Sequence, residues 1–210
     1  MSGRRPLANA RLAVFVLSLL AAVAAQAGHG LMNSFGDVEW LPDPGTTPDQ
    51  LTYPLDRIGE RAELALAESG EEALSLCLEF AREKLAEISA MVRAGEGQAA
   101  AAATAHYRGY LDRAAAAVEA SPGTELSALR HRYVNALLEH VYIMSIDYMD
   151  MPLKIRESAL APLFATAMAH FKAQRAALSK GEKDALFFKE EEIRWSLEMA
   201  KRADEQGIKN

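Results

Sequence analysis

The chain has 210 residues, of which half are hydrophobic, and a formal net charge of -6. This length fits one domain with a targeting segment, or at most two small domains, and the apolar content can supply a sizeable core. The acid excess argues against a nucleic-acid-binding protein, because phosphate binding needs a concentrated basic face and the sequence contains none. It also disfavours a helix that lies on anionic lipid.

The first 27 residues have the three parts of a secretory signal. Basic residues open the segment, an apolar run covers residues 12–25, and the small-residue site Ala25-Gln26-Ala27 closes it. We expect cleavage after Ala27 and export of the remainder to the periplasm or the extracellular space. An uncleaved membrane anchor is the alternative, although a spanning helix needs about 20 apolar residues and this run is shorter.

Residues 28–50 are rich in glycine and proline and show neither helical nor strand periodicity, so they predict a linker or extended arm. Trp40 and Leu41 form an apolar pair within it, which predicts docking on the domain or on a partner. The domain itself is predicted to cover residues 51–206.

Apolar residues recur at helical spacing throughout that domain, and no strand pattern appears. The sequence therefore predicts an all-α fold, a bundle of five or six antiparallel helices. Two capping boxes, Ser69 with Glu72 and Ser179 with Glu182, mark helix starts. The predicted helices begin or end at Pro54, Ser69, Gly95, the turn at residues 121–123, the Met151-Pro152 pair and Ser179.

Two of these predicted helices leave an alternative open. The third, over residues 98–120, is so rich in alanine that a low-complexity linker is the other interpretation, although its tyrosines favour a packed helix. The fifth, over residues 152–178, contains Pro162, which either kinks the helix or restarts it.

Residues 51–92 are predicted to start the domain and to provide a packing core. The first apolar stripe consists of Leu55, Ile58, Ala62 and Leu66, and the second runs from Leu74 to Val92. Cys77 is the only cysteine and lies within the second stripe, so we expect a small buried hydrophobe rather than a reactive thiol.

The run Leu51-Thr52-Tyr53-Pro54-Leu55-Asp56-Arg57, continuing to Ala67, resembles the opening of bacterial proteins grouped as domain-of-unknown-function family 5667. The likeness extends more loosely through residues 79–87 and 161–178. It implies an extracytoplasmic helical domain and supplies no activity. Asp56 stands where such openings usually carry a basic residue; an acid in the first turn favours a helix, so the departure affects only a shared ligand that would need a cation there.

The residues that could carry chemistry form no recognisable catalytic or metal motif. None of the five histidines, His29, His106, His131, His140 and His170, has a glutamate three residues before it, as a di-iron bundle requires. Nucleophile and zinc motifs are also missing. The sequence therefore predicts no catalytic residue, no cofactor-binding residue, no metal ligand and no cofactor, and a protein that is not an enzyme.

The segment from Met144 to Met151 supplies an alternative hypothesis. Met144, Met149 and Met151 could offer thioethers to Cu(I) in an exported protein, beside Asp147 and Asp150. The competing interpretation is that these methionines fill an irregular end of the bundle.

The sequence thus predicts an exported helical protein that binds or scaffolds in the bacterial cell envelope without catalysis. The predicted partner is another envelope protein, bound through exposed apolar residues of the last helix and Trp40. Contact with the membrane is expected only if the N-terminal segment stays uncleaved. The alternative is a periplasmic metal-responsive or metal-binding protein that uses residues 144–151, and the oligomeric state is left open.

Overall fold

The structure is a computed structural model that describes residues 34–36, 38–150 and 159–205. The chain divides into two compact units, Met1–Asp37 and Val38–Asn210. The predicted signal at residues 1–27 and the first residues of the predicted linker lie outside the described ranges. Among the helices described, none is long and apolar enough to cross a membrane.

The described part of the larger unit contains six helices and no strand, so the prediction of an all-α helical bundle is confirmed. The α2–α3 hairpin forms the most extensive helix pair, α4 packs on α5 and α6 and also meets the hairpin, and α1 packs on α2. The helices are α1 Tyr53–Leu66, α2 Gly70–Ala94, α3 Gly97–Ala120, α4 Gly123–Asp150, α5 Ala161–Ala176 and α6 Lys180–Glu205.

Local capping chemistry sets several helix ends where the sequence placed them. The amide of Glu72 donates to the Ser69 hydroxyl at 3.1 Å, and the amide of Glu182 donates to the Ser179 hydroxyl at 3.3 Å. These bonds satisfy amides that the first helical turn leaves without a carbonyl partner. At the other end of α2, Gly95 adopts a left-handed φ of 80°, which a residue without Cβ reaches at little cost.

The alanine-rich segment is a packed helix, so the linker interpretation is wrong. Ala100, Ala103 and Ala114 of α3 are buried, and α3 lies along α2. Small side chains allow two helix backbones to approach closely, which explains why so much alanine stands on this face. Pro162 lies in the first turn of α5. Residues 159–160 before it are already helical and residues 151–158 lie outside the described ranges, so the choice between a kink and a restart stays a prediction.

The core is formed by α2 to α6, and three of its largest fully buried side chains are the tyrosines Tyr107, Tyr110 and Tyr133. The predicted α2 stripe from Leu74 to Val92 is buried except for the half-buried Leu78. Cys77 is 1% exposed, and burial raises the pKa of its thiol to about 11. The prediction of a small buried hydrophobe at this position is therefore confirmed.

The orientation of α1 corrects the sequence-based expectation. Its apolar stripe, including Leu55 and Leu66, faces solvent, whereas Tyr53, Arg57 and Glu60 are buried. The predicted packing core is thus right for α2 and wrong for α1. The physical reason is a set of ion pairs that holds the polar face of α1 against its neighbours.

Candidate functional site

The inner face of α1 forms an internal ion network with α2, which we define as Arg57, Glu60, Lys84 and Glu87. The Lys84 ammonium lies 2.6 Å from Oε1 of Glu60 and also pairs with Oε1 of Glu87. Arg57 pairs with Oε2 of Glu60. Two cations and two carboxylates are therefore buried together, so the network has no formal net charge.

Tyrosines close the internal ion network on both sides. Tyr53 donates its phenol proton to Oε2 of Glu87 at 3.1 Å. Tyr110, from α3, donates to Oε2 of Glu60 and accepts a hydrogen bond from Arg57. These bonds satisfy carboxylate oxygens that burial has removed from water, which is the condition for a buried ion pair to be tolerated. The network thereby joins α1, α2 and α3.

Burial also sets the protonation of the groups around the network. Burial raises the pKa of Tyr110 to about 12 and that of Tyr53 further, so both phenols keep their protons and act as donors. Burial, with the Arg57 charge, lowers the pKa of His106 to about 4; its ring lies 5.9 Å from that of Tyr53. Arg57 Nε is left without a hydrogen-bond partner. The four side chains of the network are almost completely buried, so this arrangement holds helices together.

A polar cleft of about 490 Å³ lies between α2 and α4, in the size range of ligand pockets. Its walls carry Glu79, Arg82, Arg132, Glu139 and His140, and Glu39 of the N-terminal arm closes one side. The Glu39 carboxylate accepts from Arg82 at 2.6 Å, and this bond lowers its pKa.

His140 is 2% exposed and contacts Tyr107 across the helix interface, with 3.2 Å between the phenol oxygen and Nδ1. The phenol is fully buried and its pKa is well above the ordinary value, so its proton is best placed on a bond to Nδ1. Nε2 then carries the ring hydrogen. Burial lowers the pKa of His140 to about 3, so its imidazole is uncharged at neutral pH.

The other predicted histidines do not meet at one place. The Nδ1 atom of His170 lies 3.1 Å from the Tyr133 phenol, and its Nε2 atom lies 3.4 Å from Asp112. Burial outweighs that carboxylate and lowers the pKa of His170. His131 lies close enough to Glu182 to act on its charge, and His29 is outside the described residues.

No group of three or more histidine, cysteine, aspartate or glutamate side chains positioned for a metal ion is found within the described ranges. Of the proposed thioether set, Met144 is 3% exposed and packs among the apolar side chains of Leu85, Ile143 and Leu163. Met151 and the side chain of Met149 lie outside the described parts, so the Cu(I) hypothesis stays untested.

Exposed apolar side chains occur at the two places where the sequence predicts contact with a partner. On α6, Phe187, Phe188, Trp195 and Met199 face solvent. Trp40 is 55% exposed while its ring lies 6.4 Å from that of Tyr142, so it rests on the domain and still presents an aromatic edge.

Residues 45–143 match the family model described as a domain of unknown function, DUF5667. This segment is a DUF5667 domain. It covers α1 to α3 and most of α4, so the predicted resemblance is confirmed there, while residues 161–178 lie beyond the match. No curated protein and no solved structure matches the chain.

The internal ion network gives the two motif segments of the DUF5667 domain a common physical role. Tyr53, Arg57 and Glu60 come from the opening motif, whereas Lys84 and Glu87 come from the looser similarity at residues 79–87. The segments that carry the resemblance therefore meet in space and hold α1 on α2. Asp56, the departure from the usual motif, is exposed and takes no part in the network.

The internal ion network was missed because periodicity does not say which face of a helix is buried. Tyr53, Arg57 and Glu60 are separated by four and three residues, so the polar stripe of α1 is as regular as the apolar one. That second stripe was the available signal. The same spacing relates Lys84 to Glu87 in α2.

Proposed function

We propose that this chain is an exported, non-enzymatic helical protein that works by binding or scaffolding in the bacterial cell envelope, with the outer face of α6 as its contact surface. The observation that carries the proposal is the exposure of Phe188, Trp195 and Met199. They are separated by seven and four residues and therefore stand on one side of the helix.

Such a surface suits protein recognition on physical grounds. Aromatic side chains and methionine are enriched in the cores of protein interfaces, and tryptophan is prominent among residues that dominate binding energy. Trp195 is 53% exposed, so a partner that covers it would gain substantial apolar burial. Nearby charges on α6 are paired within the helix, Glu191 with Arg194 and Glu198 with Arg202. The ring of Phe187 packs edge-on against that of Phe188, with 5.5 Å between the centroids, and both side chains stay exposed.

Site-specific photo-crosslinking in the producing cells tests this proposal. A benzophenone amino acid replaces Phe188 in one strain and Lys172, an exposed polar residue of α5, in a control strain. We expect a discrete crosslinked envelope protein from position 188 only, and its loss when Trp195→Ser is added. The same background pattern from both positions, or a crosslink that Trp195→Ser does not change, would refute the proposal.

A further inference from the structure

A second exposed face is independent of α6: the outward side of α1. Leu55, Ile58, Ala62 and Leu66 follow one another at spacings of three and four and are all exposed. Leu55 and Leu66 are 69% and 76% exposed, respectively. Single exposed leucines are ordinary, but a continuous apolar stripe along a whole helix marks a surface that another molecule covers.

The stripe cannot be buried by rotation of α1 within its own chain. Its opposite face holds Arg57 and Glu60 in the internal ion network, and a half-turn would carry both side chains out of reach of Lys84. Lys84 would keep Glu87 of its own helix as a partner, but it would lose Glu60, and Glu87 would lose the hydrogen bond from Tyr53. Incomplete pairing of buried charges is strongly unfavourable. The described part of the chain therefore supplies no cover for the apolar face while α1 keeps this orientation.

Gly59 lies beside this stripe and has no intramolecular reason to be glycine. A Cβ placed there would meet nothing within 4 Å, and glycine inside a helix costs roughly 1 kcal/mol relative to alanine. A residue without a side chain does, however, let a second helix approach the backbone closely. The position thus fits a helix as the covering element.

The charges that border the stripe indicate which helix covers it. By helical geometry Arg61 stands on one flank, and Asp56 and Glu63 stand on the other. None of the three forms an ion pair with another residue in the described part of the chain. A two-fold axis parallel to α1 would bring Arg61 of each copy to the acidic flank of the other, whereas antiparallel pairing would place like charges together.

We propose that α1 pairs with α1 of a second copy of this chain, parallel and in register, so that the two apolar stripes bury one another. A self-complementary patch of this kind is the ordinary basis of a two-fold dimer. Because α1 has only 14 residues, the interface is small. We therefore expect a reversible monomer–dimer equilibrium rather than a permanent dimer.

Sedimentation velocity of the protein recovered from exporting cells tests the pairing. The wild type should shift from monomer to dimer as its concentration rises, and Ile58→Glu should weaken association at least about tenfold, since it buries a charge at the contact. Phe188→Glu places the same charge on α6 and should leave the equilibrium unchanged. A wild type that stays monomeric, a dimer that Ile58→Glu does not weaken, or equal weakening by both variants would overturn the proposal.

Disulfide crosslinking tests the orientation. Leu55→Cys and Leu66→Cys are made separately, and the native Cys77 does not interfere because it is 1% exposed. Under mild oxidation a parallel pair gives a crosslinked dimer from each variant alone. Crosslinks that form only when the two variants are mixed would show antiparallel pairing and contradict the proposed geometry.

Discussion

The Lys84 ammonium lies 2.6 Å from the Glu60 carboxylate, and both side chains are almost completely buried. This contact joins α1 to α2 through charge rather than through apolar packing. Buried ion pairs are tolerated where further hydrogen bonds satisfy polar atoms of the ions. Tyr53 and Tyr110 donate such bonds to the two carboxylates, and only Arg57 Nε lacks one among the buried nitrogens of Arg57 and Lys84. The orientation of α1, and with it the exposed apolar face, follows from this arrangement.

Removal of one cation from the internal ion network should be costly. We expect Lys84→Met to lower the free energy of unfolding by about 3–5 kcal/mol, because Glu60 and Glu87 would stay buried without their shared partner. Urea unfolding followed by circular dichroism measures the change. Lys172→Met, at an exposed position on α5, is the control and should alter stability by less than about 0.5 kcal/mol. Equal effects of the two substitutions would show that Lys84 is not buried among carboxylates.

The depressed pKa of His140 should make the stability of the fold depend on pH. In the unfolded chain this histidine is protonated below about pH 6.5, whereas burial in the folded state lowers its pKa to about 3. Its contribution to stability is therefore complete above pH 6.5 and is lost as the pH falls towards 3.

The matched variant is His140→Gln, which cannot titrate and can still accept a hydrogen bond from Tyr107. Between pH 6 and pH 4 the wild type should lose up to about 1.4 kcal/mol per pH unit more than the variant. His106, whose pKa is also depressed, titrates in both proteins, so the difference isolates His140. Parallel stability–pH curves would contradict the burial of a neutral imidazole.

The start of α2 approaches the turn between α3 and α4 closely. A Cβ on Gly70 would lie 2.5 Å from Oγ of Ser121, so Gly70→Ala should destabilise the fold by about 1–3 kcal/mol. Gly181→Ala, where a Cβ meets nothing within 4 Å, should be neutral or slightly stabilising. Addition of Ser121→Ala should restore part of the stability lost by Gly70→Ala. Thermal unfolding of the wild type, the two glycine variants and the Gly70→Ala, Ser121→Ala double variant tests this. Equal melting temperatures of the two glycine variants would disprove the close approach.

The helix limits could be predicted from sequence because they depend on local chemistry. The Ser179–Glu182 capping box and the left-handed Gly95 act within one turn of the chain, and their residue types reveal them. The tyrosines of α3 likewise favour a packed helix over a linker, and the structure confirms that helix. Such features need no knowledge of which helix lies next to which.

The candidate site could not be predicted in the same way, because its partners come from different helices. Glu60 is buried on account of Lys84, and His140 is held neutral beside Tyr107 of another helix. Periodicity marks two possible inner faces of α1 and cannot choose between them, since the choice depends on the charges that α2 and α3 present. The usual preference for apolar burial selects the wrong face.

The most direct test of the charge-held orientation of α1 compares two leucines that both lie in predicted apolar stripes. Leu55 of α1 is exposed and Leu85 of α2 is buried. At a concentration where the chain is monomeric, Leu55→Ala should change the free energy of unfolding by less than about 0.5 kcal/mol, whereas Leu85→Ala should lower it by about 2–5 kcal/mol. A loss at Leu55 as large as that at Leu85 would show that α1 buries its apolar stripe, and would contradict the charge-held orientation of this helix.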